Sequence, residues 1–264
     1  MDVWAIANQK GGVGKTTTTV SLAGLLSKRG KKTLLIDLDP HGSMTAYFGW
    51  NPDALQDSVY GLFQRSAGSA QVPLATVLKK TPLPEVYLLP ASSPLATLDR
   101  QIAGKEGMGL VLVETLRHCG THFQHVLIDC PPVFGVLMLN ALAACRLLII
   151  PVQTEFLALK GLERMCHTLA MVSRAQQREL DHVVLPTLYD QRTRASRESL
   201  QSLRKQYPGR VWDGLIPVDT RFRDASRAGV PLTVIAPGAR GSQGYEAFLA
   251  FLLQRDGSVC ALSA

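Results

Sequence analysis

Two lysines, three glycines and two threonines fall within the eight residues from Lys10 to Thr17, in the order KGGVGKTT. Residues of these types at this spacing do one kind of chemistry well. Gly11, Gly12 and Gly14 accept positive φ and let consecutive backbone N–H groups converge on an anion. Val13 keeps its N–H in the same arc. Lys15 is placed to reach the β- and γ-phosphates of a nucleotide, the Thr16 hydroxyl to bind Mg²⁺, and Thr17 to touch the α-phosphate. The loop departs from G-x-x-x-x-G-K-[ST] at its start and reads K-G-G-x-G-K-[ST], with Lys10 as a second cation.

Three carboxylates complete a phosphoryl-transfer set. TLLIDLD, from Thr33 to Asp39, is an apolar run that ends in Asp37 and Asp39, and VLID, from Val126 to Asp129, ends in another acid. Ligands of open α/β sheets sit at the carboxyl ends of the strands, so the three acids are expected to converge on the loop. Asp129 is then the Mg²⁺ partner, Asp39 orients or activates the attacking water, and Asp37 supports the metal shell.

Such a set requires strands that stop at a common edge and a helix whose positive end faces it. The chain supplies both. Apolar runs predict strands at 3–7, 33–37, 86–89, 126–129, 146–150, 183–188, 211–216 and 232–235. Helices are predicted at 16–29, 109–119, 136–143, 155–174, 195–206 and 243–254. Gly30 and Pro208-Gly209 stand where helices end. Continuous apolar strands such as Leu147 to Ile150 fit burial on both faces of a parallel sheet. The expected fold is α/β, a mostly parallel twisted sheet flanked by helices on both faces, with residues 1–264 as one P-loop domain. Residues 50–110 are expected to hold short helices, with a glycine-bearing loop from Asp99 to Gly109.

KGGVGKTT, LLIDLDPHGS, VLIDCPPVFGVLMLNAL and IIPVQTEFLALKGL together resemble the ParA/MinD family of deviant-Walker P-loop ATPases, in its ParA (Soj-like) branch, from about residue 3 to about residue 254. The resemblance implies a homodimer closed over two ATP molecules, with slow hydrolysis stimulated by an adaptor protein. Lys10 matches the signature lysine that crosses to the partner's nucleotide, and Asp39 the catalytic carboxylate. Lys15 and Thr16 match the phosphate and Mg²⁺ contacts, and Asp129 the second Mg²⁺ acid. The backbone at Pro217, Val218 and Asp219 is implied to line the adenine pocket. The implied role is positioning of intracellular cargo, either chromosome or plasmid DNA or polar protein clusters. DPHGS around His41 is similar to ParA-like proteins that place chemotaxis arrays. Two alternatives share the fold: an amidoligase-like metabolic enzyme and a nucleotide-gated module without turnover.

The chain of 264 residues carries a formal charge of +7. Between Asp190 and Arg227 stand nine basic residues and five acids, a surface able to hold DNA phosphates without reading sequence. Arg192, Arg194 and Arg221 are the candidate contacts. Nucleoid-binding relatives carry Arg-Asn-Val-Arg and Glu-Ala-Pro where this chain has Val218-Asp219-Thr220-Arg221 and Asp224-Ala225-Ser226, which removes one cation and adds an acid. No run reaches the ~18 apolar residues of a membrane span, and the last helix lacks the basic face of a membrane anchor. The five cysteines show no C-x-x-C spacing, which excludes an iron–sulfur reading and fits reduced thiols. The expected location is cytoplasmic, on the nucleoid or at a pole.

Overall fold

The computed structural model describes residues 1–65, 74–102 and 107–261. Part of the expected 99–109 loop, residues 103–106, lies outside them. Among the described residues, seven strands form one sheet: β1 (Asp2–Ile6), β2 (Thr33–Asp37), β3 (Lys79–Lys80), β4 (Val86–Leu89), β5 (His125–Asp129), β6 (Leu147–Gln153) and β7 (Asp181–Thr187). Their order is β3-β4-β2-β5-β1-β6-β7, parallel except for the short β3 edge. Helices in chain order are α1 (Lys15–Lys28), α2 (Ser43–Tyr47), α3 (Val59–Arg65), α4 (Leu74–Val77), α5 (Leu98–Ile102), α6 (Val111–Cys119), α7 (Val136–Ala144), α8 (Phe156–Gln176), α9 (Arg194–Gln206), α10 (Arg221–Ala228), α11 (Leu232–Ile235) and α12 (Arg240–Ala261).

Alternation along the strands divides the core into two layers, because successive side chains of a strand leave on opposite faces. Ala5, Ile36, Ile128, Leu148 and Val184 pack with α6, α7 and α8 on one face. Trp4, Ile6, Leu35, Leu127, Ile149 and Leu185 pack with α1 and α12 on the other. Burial on both faces explains why these strands read as continuous apolar runs. The doubly covered parallel sheet matches the expectation.

Two expected strands are not formed. Val211 makes only an isolated bridge to Val184, and the chain then bends at Gly214, where an added Cβ would lie 2.3 Å from the Trp212 ring. The indole folds back over the missing side chain, and a regular strand cannot continue. Leu232–Ile235, expected as a strand, is the short helix α11, and Pro231 immediately precedes it. It packs on α1 so closely that a Cβ on Gly24 would stand 2.8 Å from Thr233 Oγ1. Tertiary packing overrides the β preference of this β-branched stretch. Helix α10 and strand β3 were not expected.

Candidate functional site: the phosphate loop and its carboxylates

Strand register builds the site. Asp37 pairs with Asp129 across β2 and β5, and Ile6 pairs with Asp129 across β1 and β5. Both acids and the start of the loop therefore lie level at the carboxyl edge. Past β1, buried Asn8 donates to the Pro151 carbonyl (2.7 Å) and accepts from the Lys10 N–H (3.0 Å), which turns the chain into the loop. Gly12 and Gly14 take φ of 74° and 92°, values that favour glycine. Gly14 hands the chain to α1, so the helix N-terminus faces the loop's concavity. Thr187, at the end of β7, donates to the Val13 carbonyl (2.8 Å) and fixes the loop from the far side.

A cleft of about 590 Å³ opens on this loop. Gly11, Gly12, Gly14, Lys15, Thr16 and Thr17 form its floor, and Asp39, His41 and Pro132 stand at one side. It continues to Tyr47, Leu188, Phe222, Ser226 and Leu232. The size and lining suit a nucleotide. Pro217, Val218 and Asp219, expected at the base, are not among the lining residues. Pro217 bridges Tyr189, the neighbour of Leu188, and Asp219 accepts from the Gly241 N–H and from Arg221. Helix α10 lines the cleft through Phe222 and Ser226, which local sequence patterns do not reveal because α10 is short and polar. Leu188 holds a positive φ of 52°, a strained conformation for leucine that surrounding structure must enforce.

The carboxylates divide their labour. Asp37 is fully buried, and its oxygens accept from the Asp39 N–H and from the Thr45 N–H and hydroxyl. Burial raises its pKa to about 7, opposed by the Thr45 bonds and reinforced by Asp39. Through these bonds Asp37 anchors the start of α2 beside the loop. Asp39 accepts the His41 N–H through Oδ1 (3.0 Å), and its Oδ2 has no protein partner among the described residues. Asp129 accepts the Thr16 hydroxyl at 2.6 Å through Oδ2, whereas its buried Oδ1 has no partner among the described residues. Burial, then the Asp37 charge, pushes the Asp129 pKa well up, while Thr16 and Lys15 pull it down. A carboxylate oxygen without a partner beside a threonine hydroxyl suits a hard, oxygen-seeking dication, so Thr16 and Asp129 are the residues that would hold Mg²⁺.

The two lysines diverge. Lys15 is buried along the loop and donates to the Lys10 carbonyl (3.3 Å). Lys10 instead forms an ion pair with Glu155, the residue that opens α8. Nothing in the residues around Glu155 signals this pairing. The surface arginines also find partners: Arg192 pairs with Asp190, Arg194 with Glu198 and Arg221 with Asp219.

Sheet, loop and acids together define a P-loop nucleoside triphosphatase with a second lysine at the head of its phosphate loop. A family profile described as an AAA domain matches residues 1–182. The chromosome-partitioning ATPase Soj of Treponema pallidum is 34% identical over 95% of this chain and 96% of its own. The chromosome partitioning protein ParA of Myxococcus xanthus is 30% identical over 95% and 87%. A crystal structure described as cobyrinic acid a,c-diamide synthase from Mycobacterium smegmatis, with ATP analogue and magnesium, is 34% identical with a TM-score of 0.84, covering 98% of this chain and 96% of that one. The chain belongs to the ParA/MinD family of P-loop ATPases, in its Soj-like branch.

Proposed function

We propose that this protein is an ATP-driven positioning switch. It binds MgATP in the cleft, closes as a homodimer over two nucleotides, moves cargo in that state and reopens after slow, adaptor-stimulated hydrolysis. The observation that carries the reading is the direction of Lys10. Its ammonium leaves its own phosphate loop for Glu155, which exposed Phe156 and Leu157 directly follow, while exposed Val133 and Phe134 follow Pro132 of the cleft lining. A second cation turned from its own phosphate loop, next to exposed apolar side chains, suits a second copy.

Each site residue then has a role. Gly11 to Gly14 and Thr17 hold phosphate oxygens, Lys15 binds the terminal phosphates, and Thr16 and Asp129 hold Mg²⁺. The bound ion neutralises charge developing on the phosphates. Asp39 turns its uncommitted oxygen to the attacking water. Lys10 supplies the partner site with the cation that stabilises the transferred phosphoryl. Adenine takes the end formed by Leu188, Phe222, Ser226 and Leu232, with the backbone at 216–219 behind it. The track is duplex DNA or a polar protein scaffold inside the cell. No helix among the described residues is long and apolar enough to cross a membrane.

The test is mass in solution. Asp39→Ala is expected to form a stable doubled mass in MgATP and a single mass in MgADP; a monomer in both overturns the reading. The diamide synthase likeness favours a second reading, ATP-dependent amidation of an acid. That reading predicts turnover per molecule that needs an acid substrate and does not depend on protein concentration. The switch predicts turnover that rises with protein concentration and needs none.

A further inference from the structure

We infer that His41 is a catalytic residue of ATP hydrolysis, whose imidazole donates a hydrogen bond to the terminal phosphate on the side from which water attacks. The inference rests on the hydrolysis reading above and adds a second residue to the Asp39 side of the cleft. Asp39, His41 and Pro132 stand together there, and Asp39 as the base marks it as the side of the attacking water. The positive groups lie elsewhere. Lys15 runs along the loop floor, Thr16 and Asp129 are the residues that would hold Mg²⁺, and Lys10 turns to Glu155. A terminal phosphate on the Asp39 side meets a carboxylate and a proline, and the imidazole brings an N–H donor to it.

One closed turn carries both side chains. The His41 N–H donates to Asp39 Oδ1 at 3.0 Å, and the Gly42 N–H donates to the Asp39 carbonyl at 2.8 Å. Gly42 holds φ of 59°, and a Cβ there would lie 2.3 Å from Pro52 Cγ, so the proline ring closes the turn from outside. Asp37 fixes the next turn through Thr45. Placing Asp39 Oδ2 on the attacking water therefore brings His41 to the same end of the nucleotide. The imidazole is free for this. His118, His122 and His182 each spend Nδ1 on a backbone carbonyl, and His125 is buried against Trp4. The His41 ring is exposed and makes no hydrogen bond among the described residues. In the step itself the water oxygen bonds to the terminal phosphorus and its proton passes to Asp39 Oδ2. The bond to the bridging oxygen breaks and leaves its electron pair on ADP. The imidazole keeps its proton and stabilises charge on the terminal oxygens.

The experiment measures single-turnover hydrolysis of MgATP at high protein concentration, with the nucleotide dissociation constant alongside. His41→Ala is expected to slow hydrolysis about 10- to 100-fold, the scale of one hydrogen bond to a charged group, while nucleotide affinity stays nearly unchanged. His41→Gln keeps an N–H donor and is expected to retain most of the rate. His41→Glu puts an acceptor in its place and is expected to be the slowest of the three. An Ala variant as fast as the parent, an affinity loss as large as the rate loss, a Gln variant no faster than Ala, or a Glu variant that matches Gln overturns the inference. A parent that does not hydrolyse MgATP overturns the hydrolysis reading instead, whatever its variants do.

Discussion

Lys15 and Asp129 share one local problem, a buried charge that must find its partner. Lys15 lies along the loop floor and donates to a neutral carbonyl, so a nucleotide's terminal phosphates give its ammonium a charged acceptor in place of an uncharged one. Lys15→Ala is expected to weaken ATP binding by about two orders of magnitude, the scale of one charge-assisted hydrogen bond, read by titration with a fluorescent nucleotide. Away from the cleft, Asp219 shows the opposite state of a carboxylate. The Arg221 guanidinium and the Gly241 N–H lower its pKa from 3.8 to about 2. A depressed carboxylate stabilises the fold above the unfolded value and loses that contribution as pH falls through the folded one. Melting curves are expected to show Asp219→Asn less stable than the parent at pH 7. The gap should shrink between about pH 4 and pH 2 and close below that.

At the scale of elements, the cleft depends on how α1 and α11 meet. Gly24 gives Thr233, Val234 and Pro231 their close approach, Thr233 Oγ1 donates to the Ser21 carbonyl at 3.1 Å, and the neighbouring Leu232 lines the cleft. Gly24→Val forces these helices apart. It is expected to cost about 1–3 kcal/mol by overpacking, measured by urea unfolding, and to weaken nucleotide binding as the Leu232 wall shifts. Helix α10 joins the same wall through Phe222 and Ser226. Its Phe222 ring meets Tyr245 of α12 edge-on at 5.9 Å, and Tyr245 in turn bonds Thr18 of α1. That end of the cleft is thus one packed unit with the phosphate helix.

Over the whole molecule, the charge is +7, and the basic stretch from Asp190 to Arg227 is divided between paired and unpaired arginines. Arg192, Arg194 and Arg221 each sit against an acid, which cancels much of their attraction for phosphates. Arg223 and Arg227, one turn apart on α10, make no ion pair among the described residues. They are the better candidates for a DNA contact in the proposed dimer. On random-sequence duplex, Arg223→Ala and Arg227→Ala are each expected to reduce the slope of log affinity against log salt by about one unit. Arg192→Ala is expected to leave the slope nearly unchanged. Equal effects from all three would return the DNA surface to the α9 side.

The phosphate loop, the two acid-tipped strands and the doubly covered parallel sheet were legible in the sequence. Each rests on local rules: glycine's φ freedom, an apolar run ending in an acid, a lysine and threonine opening a helix. Lys15, Thr16, Asp39 and Asp129 could therefore be named from their own neighbourhoods. What stayed hidden depends on residues far apart in the chain. Thr187 bonds Val13 and Glu155 pairs with Lys10 across separations of 174 and 145 residues, and no local pattern encodes either. Nor could local preference show that 232–235 is a helix, since packing against Gly24 decides it. That this chain cradles nucleotide phosphates follows from its amino-acid order alone. Which residues wall the cleft, which arginines are already neutralised and where the second lysine rests follow from the folded state, because each is settled by contacts that form only when the sheet has brought its edges together.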